Sequence, residues 1–400
     1  MKDEKGKMKD MLPPYSEQTF DDALSLLKEL IATPRVSRQE QEAADVLERY
    51  MTVWGLQPYR EGNNLWAVQP DMVPGRTTLL LNAHIDTVKA VASWTRNPHD
   101  PVIEGDRLYG LGSNDCGGGL VTLLTVFRIL TAQKVIHPKT NHSPLLGRGV
   151  GGEAPYNLVF LASAEEEVSG ENGIRCALPA LNAQFATLNS QHTTFNAQPQ
   201  LAIVGEPTGM LPAIAEKGLM VIDGYAHGVS GHAAREEGVN AIYEALDDLL
   251  WLRDYRFERI SPLLGPTKMS VTVVEAGTQH NVVPDQLHFV IDVRTNELYQ
   301  NEEVLALLQR HMKHCELKAR STRLHSSNIP MDHPLVQGCI AMGRQPFGSP
   351  TLSDQALMPF PSLKLGPGQS SRSHSADEYI CLSELREAIE IYLKLLTAPN

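Results

Sequence analysis

The segment 213–322 carries the pattern that most constrains how this 400-residue chain can fold. Its apolar residues alternate along some stretches and recur every three or four positions along others, which predicts strands and helices. The predicted elements, in the order strand, helix, strand, strand, helix, strand, are 221–227, 240–251, 269–276, 287–294, 303–312 and 317–323. This βαββαβ order is typical of a self-contained ferredoxin-like domain of roughly a hundred residues. We therefore expect an inserted domain here.

The chain on both sides of that insertion has the sequence pattern of an α/β domain. The predicted strands lie at 77–82, 157–164 and 201–205, and the predicted helices at 19–33, 119–130 and 382–396. Strands alternating with helices are what a largely parallel sheet requires. Residues 1–212 and 323–400 are therefore predicted to form one α/β domain with a mixed, largely parallel sheet.

Composition narrows the expected partners and compartment. The formal net charge is −12, and no stretch clusters lysine and arginine as binding to a phosphate backbone requires, so nucleic acid is not an expected partner. The charged first ten residues, and the lack of an apolar run of about eighteen residues, argue against export and against a membrane partner. Five scattered cysteines without a CxxC pair fit a reducing compartment. A cytoplasmic protein is expected.

Two stretches are expected to be loop insertions. Residues 137–155 are rich in Gly, Pro and His, and residues 182–200 are rich in Asn, Gln and Thr, which are residues typical of loops. Long loops often carry function, so a role in binding or assembly stays open for both.

Five motifs place metal-binding residue types after predicted strands or in adjoining loops. LLLNAHIDTV ends an apolar strand at His84 and puts Asp86 two positions on, so both side chains project from the same strand end. LYGLGSNDCGGGL places Asp115 among glycines before a predicted helix, and LVFLASAEEEV runs a strand into three glutamates. LAIVGEPTG supplies Glu206, and LGPGQSSRSHSADEY supplies His374.

Each motif has an ordinary explanation when taken alone. His84 could be structural, Asp115 could be a helix N-cap, and Glu165 to Glu167 could form a solvated acidic turn. Three adjacent carboxylates repel one another unless cations or water relieve them, and the combined set of two imidazoles and three carboxylates suits a pair of zinc ions. Thiolate is absent from that set, which disfavours a closed structural zinc site. Cys116 could be a nucleophile, but no His and Asn pattern accompanies it.

The motifs occur in the order and approximate spacing of the two-zinc aminoacylase and carboxypeptidase (M20) family, which the chain resembles over nearly its whole length. That family includes acetylornithine deacetylase and succinyl-diaminopimelate desuccinylase. The resemblance implies that residues 1–212 and 323–400 form a zinc-peptidase-like catalytic domain. The metal ligands that it implies are His84 and Glu206 for one zinc, Glu167 and His374 for the other, and Asp115 for both.

The resemblance also implies roles beyond metal ligation. Asp86 would stand behind the first imidazole ligand, and Glu166 would be the general base. The inserted segment matches the family's dimerisation domain, in which His232 would reach the partner's active site and steady the developing oxyanion. Asn281 and Arg294 would contact the substrate, the arginine through two parallel hydrogen bonds to a carboxylate. Without the family, these last three would be interpreted as a surface His, a turn Asn and an ion-paired Arg.

The function that the resemblance implies is hydrolysis of the amide bond of an N-acyl amino acid by a cytoplasmic homodimer. It would hold two zinc ions, with cobalt and manganese as alternative metals. N-acetyl-L-ornithine, in arginine biosynthesis, is the expected substrate. A succinyl-diaminopimelate desuccinylase, an N-acyl-citrulline or N-succinyl-ornithine hydrolase, a dipeptidase and a non-catalytic metal-binding member are the alternatives. The chain departs from the family at Cys116 and Gly117, where Met and Lys are usual, and at Leu111, where Arg is common.

Overall fold

The structure is a computed structural model that describes residues 15–132, 155–189, 198–235 and 237–397. Its helices are α1 Glu17–Ala32, α2 Gln41–Val53, α3 Gly118–Ala132, α4 Ile174–Asn189, α5 Ala241–Asp254, α6 Asn301–His311, α7 Pro334–Ala341 and α8 Leu382–Thr397. Its strands are β1 Tyr59–Glu61, β2 Asn64–Val68, β3 Thr78–His84, β4 Val102–Glu104, β5 Arg107–Tyr109, β6 Asn157–Ser163, β7 Leu201–Val204, β8 Ala213–Glu216, β9 Met220–His227, β10 Gly231–His232, β11 Ile260–Ser261, β12 Gly265–Pro266, β13 Lys268–Ala276, β14 Val282–Val283, β15 Gln286–Arg294, β16 Cys315–Ala319, β17 Ser327–Asn328, β18 Phe347–Ser349, β19 Ser362–Lys364 and β20 Tyr379–Cys381.

The chain divides by its internal packing into two compact units. Unit 1 comprises Met1–Ala213, Pro330–Pro346 and Pro359–Asn400, and unit 2 comprises Ile214–Ile329 and Phe347–Met358. The interruption of unit 1 thus begins near residue 213. Residues 347–358, which the sequence pattern assigned to the flanking domain, pack with unit 2.

Unit 1 is built on a mixed sheet in which its strands follow the order β1-β2-β6-β3-β7-β19. The neighbours β6, β3, β7 and β19 run parallel, whereas β1 pairs with β2, and β2 with β6, in antiparallel fashion. Every residue of β3 and of β6 is buried, as is usual for parallel strands covered on both faces. The predicted α/β domain with a mixed, largely parallel sheet is confirmed.

The helix α3 brings two segments that carry acidic residues close together. A Cβ on Gly119 would lie 1.7 Å from the backbone oxygen of Gly205, so only glycine allows the start of α3 to approach the end of β7 this closely. Asp115 precedes this contact in the chain and Glu206 follows it. By length and composition Ser113–Ala132 could cross a membrane, but 83% of its most apolar window is buried, as in a core helix.

Unit 2 contains a four-stranded antiparallel sheet in the order β13-β15-β9-β16. Helices α5 and α6 contribute Ala241, Ala245, Val304 and Leu308 to one buried apolar cluster with residues of the sheet. The chain order of these six elements is β9, α5, β13, β15, α6, β16, which confirms the predicted ferredoxin-like βαββαβ arrangement.

The predicted loop at 182–200 is wrong for its first residues, because 182–189 continue helix α4. Ile174, Leu181 and Phe185 are buried at helical spacing, and the Asn and Gln residues between them had hidden this apolar face. Residues 190–197, and 137–154 of the other predicted loop, lie outside the described residues.

Candidate metal centre

The candidate site lies where neighbouring parallel strands of unit 1 end. In the register of the sheet His84, the last residue of β3, pairs with Ser163, the last residue of β6. On the other side of β3, Asn82 pairs with Val204 at the end of β7. The three glutamates that follow β6, and Glu206 after β7, therefore leave the sheet at the same edge as His84, which is where α/β sheets present functional side chains.

The first group of possible ligands comprises His84, Asp115 and Glu206. The Nε2 atom of His84 lies 3.1 Å from Asp115 Oδ1 and 3.6 Å from Glu206 Oε1. Burial, followed by the negative charge of Asp115, raises the pKa of Glu206 to about 8. Glu206 Oε1 accepts no hydrogen bond from the described residues, although a buried oxygen normally has a partner. A cation bound between these atoms would relieve the repulsion between the two buried carboxylates.

The second group comprises Glu167 and His374, together with the same Asp115. The Nε2 atom of His374 lies 2.9 Å from Glu167 Oε2 and 3.7 Å from Asp115 Oδ2. The hydrogen bond to Glu167 raises the pKa of His374 to about 9, so a proton is held where a metal ion would bind both residues. Asp115 faces both groups, one oxygen to each. The structure thus brings all five predicted ligands together in unit 1.

Asp86 links the two groups through its carboxylate. It accepts hydrogen bonds from the Ser37 hydroxyl at 2.6 Å and from the backbone N–H groups of Glu166 and Glu167 at 3.0 and 3.2 Å. The Nδ1 atom of His84 lies 2.9 Å from the backbone carbonyl of Asp86 and 3.5 Å from its carboxylate. A carbonyl only accepts, so Nδ1 carries the proton and Nε2 is free to coordinate a metal.

The three consecutive glutamates occupy different environments. Glu165 has a left-handed φ of 52°, and its carboxylate accepts a hydrogen bond from the Asn172 side chain at 2.8 Å, so it is a structural residue of the turn. The side chains of Glu166 and Glu167 offer oxygen atoms that lie, with a ring nitrogen of His84, within 4.8 Å of one another. An acidic turn exposed to solvent does not describe this arrangement.

A buried thiol also lies beside the first group. Cys116 Sγ accepts a hydrogen bond from the His84 backbone N–H at 3.2 Å, and its sulfur lies within 4.8 Å of ligand atoms of His84 and Glu206. Cys116 was expected only beside Asp115 in the chain, whereas the structure also places it beside His84 and Glu206. Burial raises the pKa of Cys116 to about 12, which keeps it protonated at neutral pH and favours the nitrogen and oxygen donors.

Sequence reasoning missed Glu378, Arg35 and Asn114. The Glu378 carboxylate accepts hydrogen bonds from the backbone N–H groups of Gly112, Asn114 and Asp115 at 3.0, 2.8 and 2.9 Å, and burial raises its pKa to about 7. Arg35 is buried and donates to the Gly112 carbonyl at 2.8 Å. The acidic ADEY stretch after His374 was the available indication of Glu378.

Three predicted substrate-binding residues lie in unit 2. His232 and Asn281 are exposed and close in space, because β10 pairs with β14 and the Ala233 N–H donates to the Asn281 carbonyl at 3.0 Å. Arg294, at the end of β15, donates two hydrogen bonds to Asp292 at 2.9 and 3.1 Å. Its guanidinium is therefore already oriented by a carboxylate of the same strand.

The comparisons with known proteins agree with this architecture. Residues 80–143 match the model of peptidase family M20/M25/M40, and residues 214–319 match the model of the peptidase dimerisation domain. The chain is 26% identical over 420 residues to an acetylornithine deacetylase of Pectobacterium atrosepticum, which covers 97% of this chain and 98% of that relative.

Solved structures share the fold over almost the whole chain. An aminopeptidase, PepT, of Bacillus cereus has a TM-score of 0.69 at 16% identity, covering 94% of this chain and 98% of its own. A Bacillus subtilis protein described as a dinuclear metal binding peptidase of the M20 family has a TM-score of 0.66 at 15% identity, covering 96% and 98%. The two family models together identify the chain as an M20 family peptidase with a peptidase domain and a dimerisation domain, and it is a metal-dependent peptidase or deacylase.

Proposed function

We propose that this protein hydrolyses the amide bond of an N-acyl amino acid, with N-acetyl-L-ornithine as substrate. The observation that carries the proposal is the pair of ligand groups that share Asp115, each with one further carboxylate and one imidazole. We assign His84 and Glu206 to one cation, and Glu167 and His374 to the other. Nitrogen and oxygen donors of this kind suit zinc, and cobalt or manganese would bind the same set.

Two bound cations would polarise the acyl carbonyl and lower the pKa of a water molecule toward neutrality. Glu166 takes the proton of the attacking water and passes it to the departing amine, because its side chain borders the ligands and is not needed as one. Asp86 fixes the position of Glu166 by accepting its backbone N–H. The proton on His84 Nδ1 holds the ring so that Nε2 faces the shared carboxylate.

The choice of substrate rests on the relatives. The acetylornithine deacetylases match the chain along nearly their whole length, but at 26% identity, so the acyl group and the amino acid are the parts that need a direct test. Desuccinylation of succinyl-diaminopimelate, hydrolysis of N-acyl-citrulline or N-succinyl-ornithine, and dipeptide cleavage are the competing activities. A dipeptidase from Saccharomyces cerevisiae is among the solved structures with this fold.

A substrate panel tests the proposal directly. Zinc-loaded protein is incubated with acetylated and succinylated ornithine, citrulline and diaminopimelate and with simple dipeptides, and amine release is measured. We expect kcat/KM for N-acetyl-L-ornithine to exceed that for every other compound by at least about tenfold, a difference of about 1.4 kcal/mol in the barrier. Preference for another compound would identify that compound as the substrate. No amine release from any compound would favour the non-catalytic alternative.

We propose that His232, Asn281 and Arg294 contact the substrate. His232 in β10 and Asn281, which directly precedes the paired strand β14, are exposed polar residues, so they can present donors to a bound acyl group together. His232 would act on the partner subunit's substrate by donating to the oxygen on which negative charge develops. Arg294 would bind the substrate carboxylate, with Asp292 setting the plane of its guanidinium.

We propose a homodimer that forms through unit 2. Strand β13 is the edge of the four-stranded sheet, and most of its residues are exposed. Helix α5 contacts this strand and exposes Tyr243, Leu246 and Leu250, which lie on one face by their spacing. An edge strand beside an exposed apolar helix face is an aggregation hazard unless it is covered, and a second copy would cover both.

Val274→Lys is expected to break the dimer. Val274, in β13, is 54% exposed, and burying a lysine in its place would remove apolar contact and desolvate a charge. A loss of about 2 to 3 kcal/mol raises the dimer dissociation constant by roughly 30- to 150-fold. Light scattering across a dilution series should show the 44.1 kDa chain as a dimer in the wild type and as a monomer in the variant. Val53→Lys, at a 78% exposed valine of unit 1, is the control, and equal masses for all three proteins would reject this interface.

We propose a cytoplasmic location, with no nucleic-acid or membrane partner. All five cysteines are free, as is usual in reducing compartments, and the net charge of −12 opposes binding to polyanions. Fractionation of cells that express the protein would test the location.

A further inference from the structure

Two loops of unit 1 carry two of the proposed metal ligands and bind each other. Loop A, residues 112–115, ends at Asp115, and loop B, residues 369–378, contains His374. They are more than 250 residues apart in the chain. None of the contacts between these loops described below involves a ligand side chain.

Loop B holds loop A through Glu378. One carboxylate oxygen accepts the N–H groups of Asn114 and Asp115 at 2.8 and 2.9 Å, and the other accepts the N–H of Gly112 at 3.0 Å. Glu378 is 2% exposed, so these three hydrogen bonds satisfy a carboxylate that water does not reach. Because the N–H of Asp115 is among them, the position of Glu378 fixes the backbone from which the shared carboxylate projects.

Loop A holds loop B through Asn114. Its Oδ1 accepts the Gln369 N–H at 2.9 Å, and its Nδ2 donates to the Gln369 carbonyl at 3.1 Å and to Ser373 Oγ at 3.3 Å. A Cβ on Gly368 would lie 2.2 Å from Asn114 Oδ1, so the chain is packed against this amide. Ser373 directly precedes His374, so Asn114 anchors the approach to the second imidazole.

Loop B contains a backbone conformation that needs outside support. His374 has a φ of 57°, a left-handed conformation that is uncommon for residues other than glycine and costs on the order of 1 to 3 kcal/mol. Gly112 also has a positive φ, of 72°, and its carbonyl accepts the hydrogen bond from buried Arg35. The contacts between the loops provide that support on either side of the ligands.

We propose that Asn114 and Glu378 form a reciprocal clamp that sets the distance between Asp115 and His374, and thereby the affinity and spacing of the two cations. The inference rests on the proposed metal centre but assigns a function to residues that are not ligands. Both are positioning residues. Glu378 positions the carboxylate that serves both cations, whereas Asn114 positions the loop that carries the imidazole of the second cation. Substitution of Glu378 should therefore weaken both metal sites, and substitution of Asn114 only one.

The test compares Glu378→Gln, Asn114→Ala and the double variant with the wild type, all as full-length protein. Manganese is the probe, because the electron paramagnetic resonance spectrum of a manganese pair reports the exchange coupling through a bridging carboxylate. Dissociation constants are measured by competition with a chromophoric chelator. The control is Asp106→Asn, because exposed Asp106 also accepts a backbone N–H from a distant segment, that of Ser383, but away from the ligands. Thermal unfolding of the metal-free proteins reports stability separately.

We expect Glu378→Gln to weaken both manganese sites by about 10- to 100-fold, the usual range for residues behind a ligand, and to change the coupled spectrum. Asn114→Ala should weaken one site by about tenfold and leave the other unchanged, and Asp106→Asn should leave both unchanged. If Glu378→Gln does not fold, the one-site loss in Asn114→Ala decides the question. Folded variants with wild-type affinities and spectrum overturn the clamp and leave the metal centre standing, whereas a wild type that binds no manganese pair overturns both.

Discussion

Glu166→Gln is expected to lower turnover by a factor of about 10² to 10⁴, the usual loss when a general base is removed, while the zinc content stays at two per chain. Glutamine keeps the size and backbone contacts of the side chain but cannot accept the proton of the attacking water. Because Asp86 holds this turn through backbone N–H groups, the substitution leaves the turn intact. Steady-state kinetics together with metal analysis by mass spectrometry measure both quantities.

The neighbouring glutamates supply matched controls. Glu165→Gln should lower stability, since the Glu165 carboxylate accepts hydrogen bonds from Asn172, but should retain turnover per folded molecule. Glu167→Gln should lose affinity for metal, because the Glu167 carboxylate lies against His374. If instead Glu165→Gln abolished turnover with full metal content, the general base would be Glu165, and our assignment of Glu166 would be wrong by one position.

Asp115→Ala is expected to remove both metal ions, with turnover falling below detection. Its two carboxylate oxygens face His84 and His374 separately, so each cation would lose a negatively charged ligand at the same time. The affinity for each cation should fall by more than the roughly 100-fold seen for residues behind ligands. Metal per chain after gel filtration, and titration with zinc under a competing chelator, measure the loss.

His374→Ala tests a ligand that serves one cation, for comparison with the shared ligand Asp115. It should cost one metal ion and leave the cation between His84 and Glu206 in place. Loss of a single ion in Asp115→Ala would mean that Asp115 serves one cation only, and equal zinc content in His374→Ala and wild type would remove His374 from the ligands.

The parts of the site that follow strands could be predicted from sequence. His84 is the last residue of the buried strand β3 and Glu206 lies two residues beyond the buried strand β7, and parallel strands bring such positions to one edge of the sheet. The βαββαβ order of unit 2 could also be predicted, because the apolar residues of each of its elements recur with a clear period. Short edge elements such as β1 and β4 were missed because three residues are too few to show a period.

The direction of each glutamate could not be predicted. In an extended chain consecutive side chains alternate, but the left-handed φ of Glu165 breaks that rule, so alternation does not indicate which carboxylate faces His84. Glu378 and Asn114 were missed for a related reason. Their partners are backbone groups more than 250 residues away, and backbone N–H groups have no sequence identity that a motif could reveal.

The distance along the chain between Asp115 and Glu378, 263 residues, also affects when the protein can become active. A ribosome adds about 5 to 20 residues each second, so Asp115 is synthesised well before Glu378, which holds its backbone in place. A nascent or C-terminally truncated polypeptide therefore lacks His374 and leaves the backbone of Asp115 without its anchor. The proposed metal pair therefore cannot assemble until residues 374–378 have been synthesised, long after His84 and Asp115.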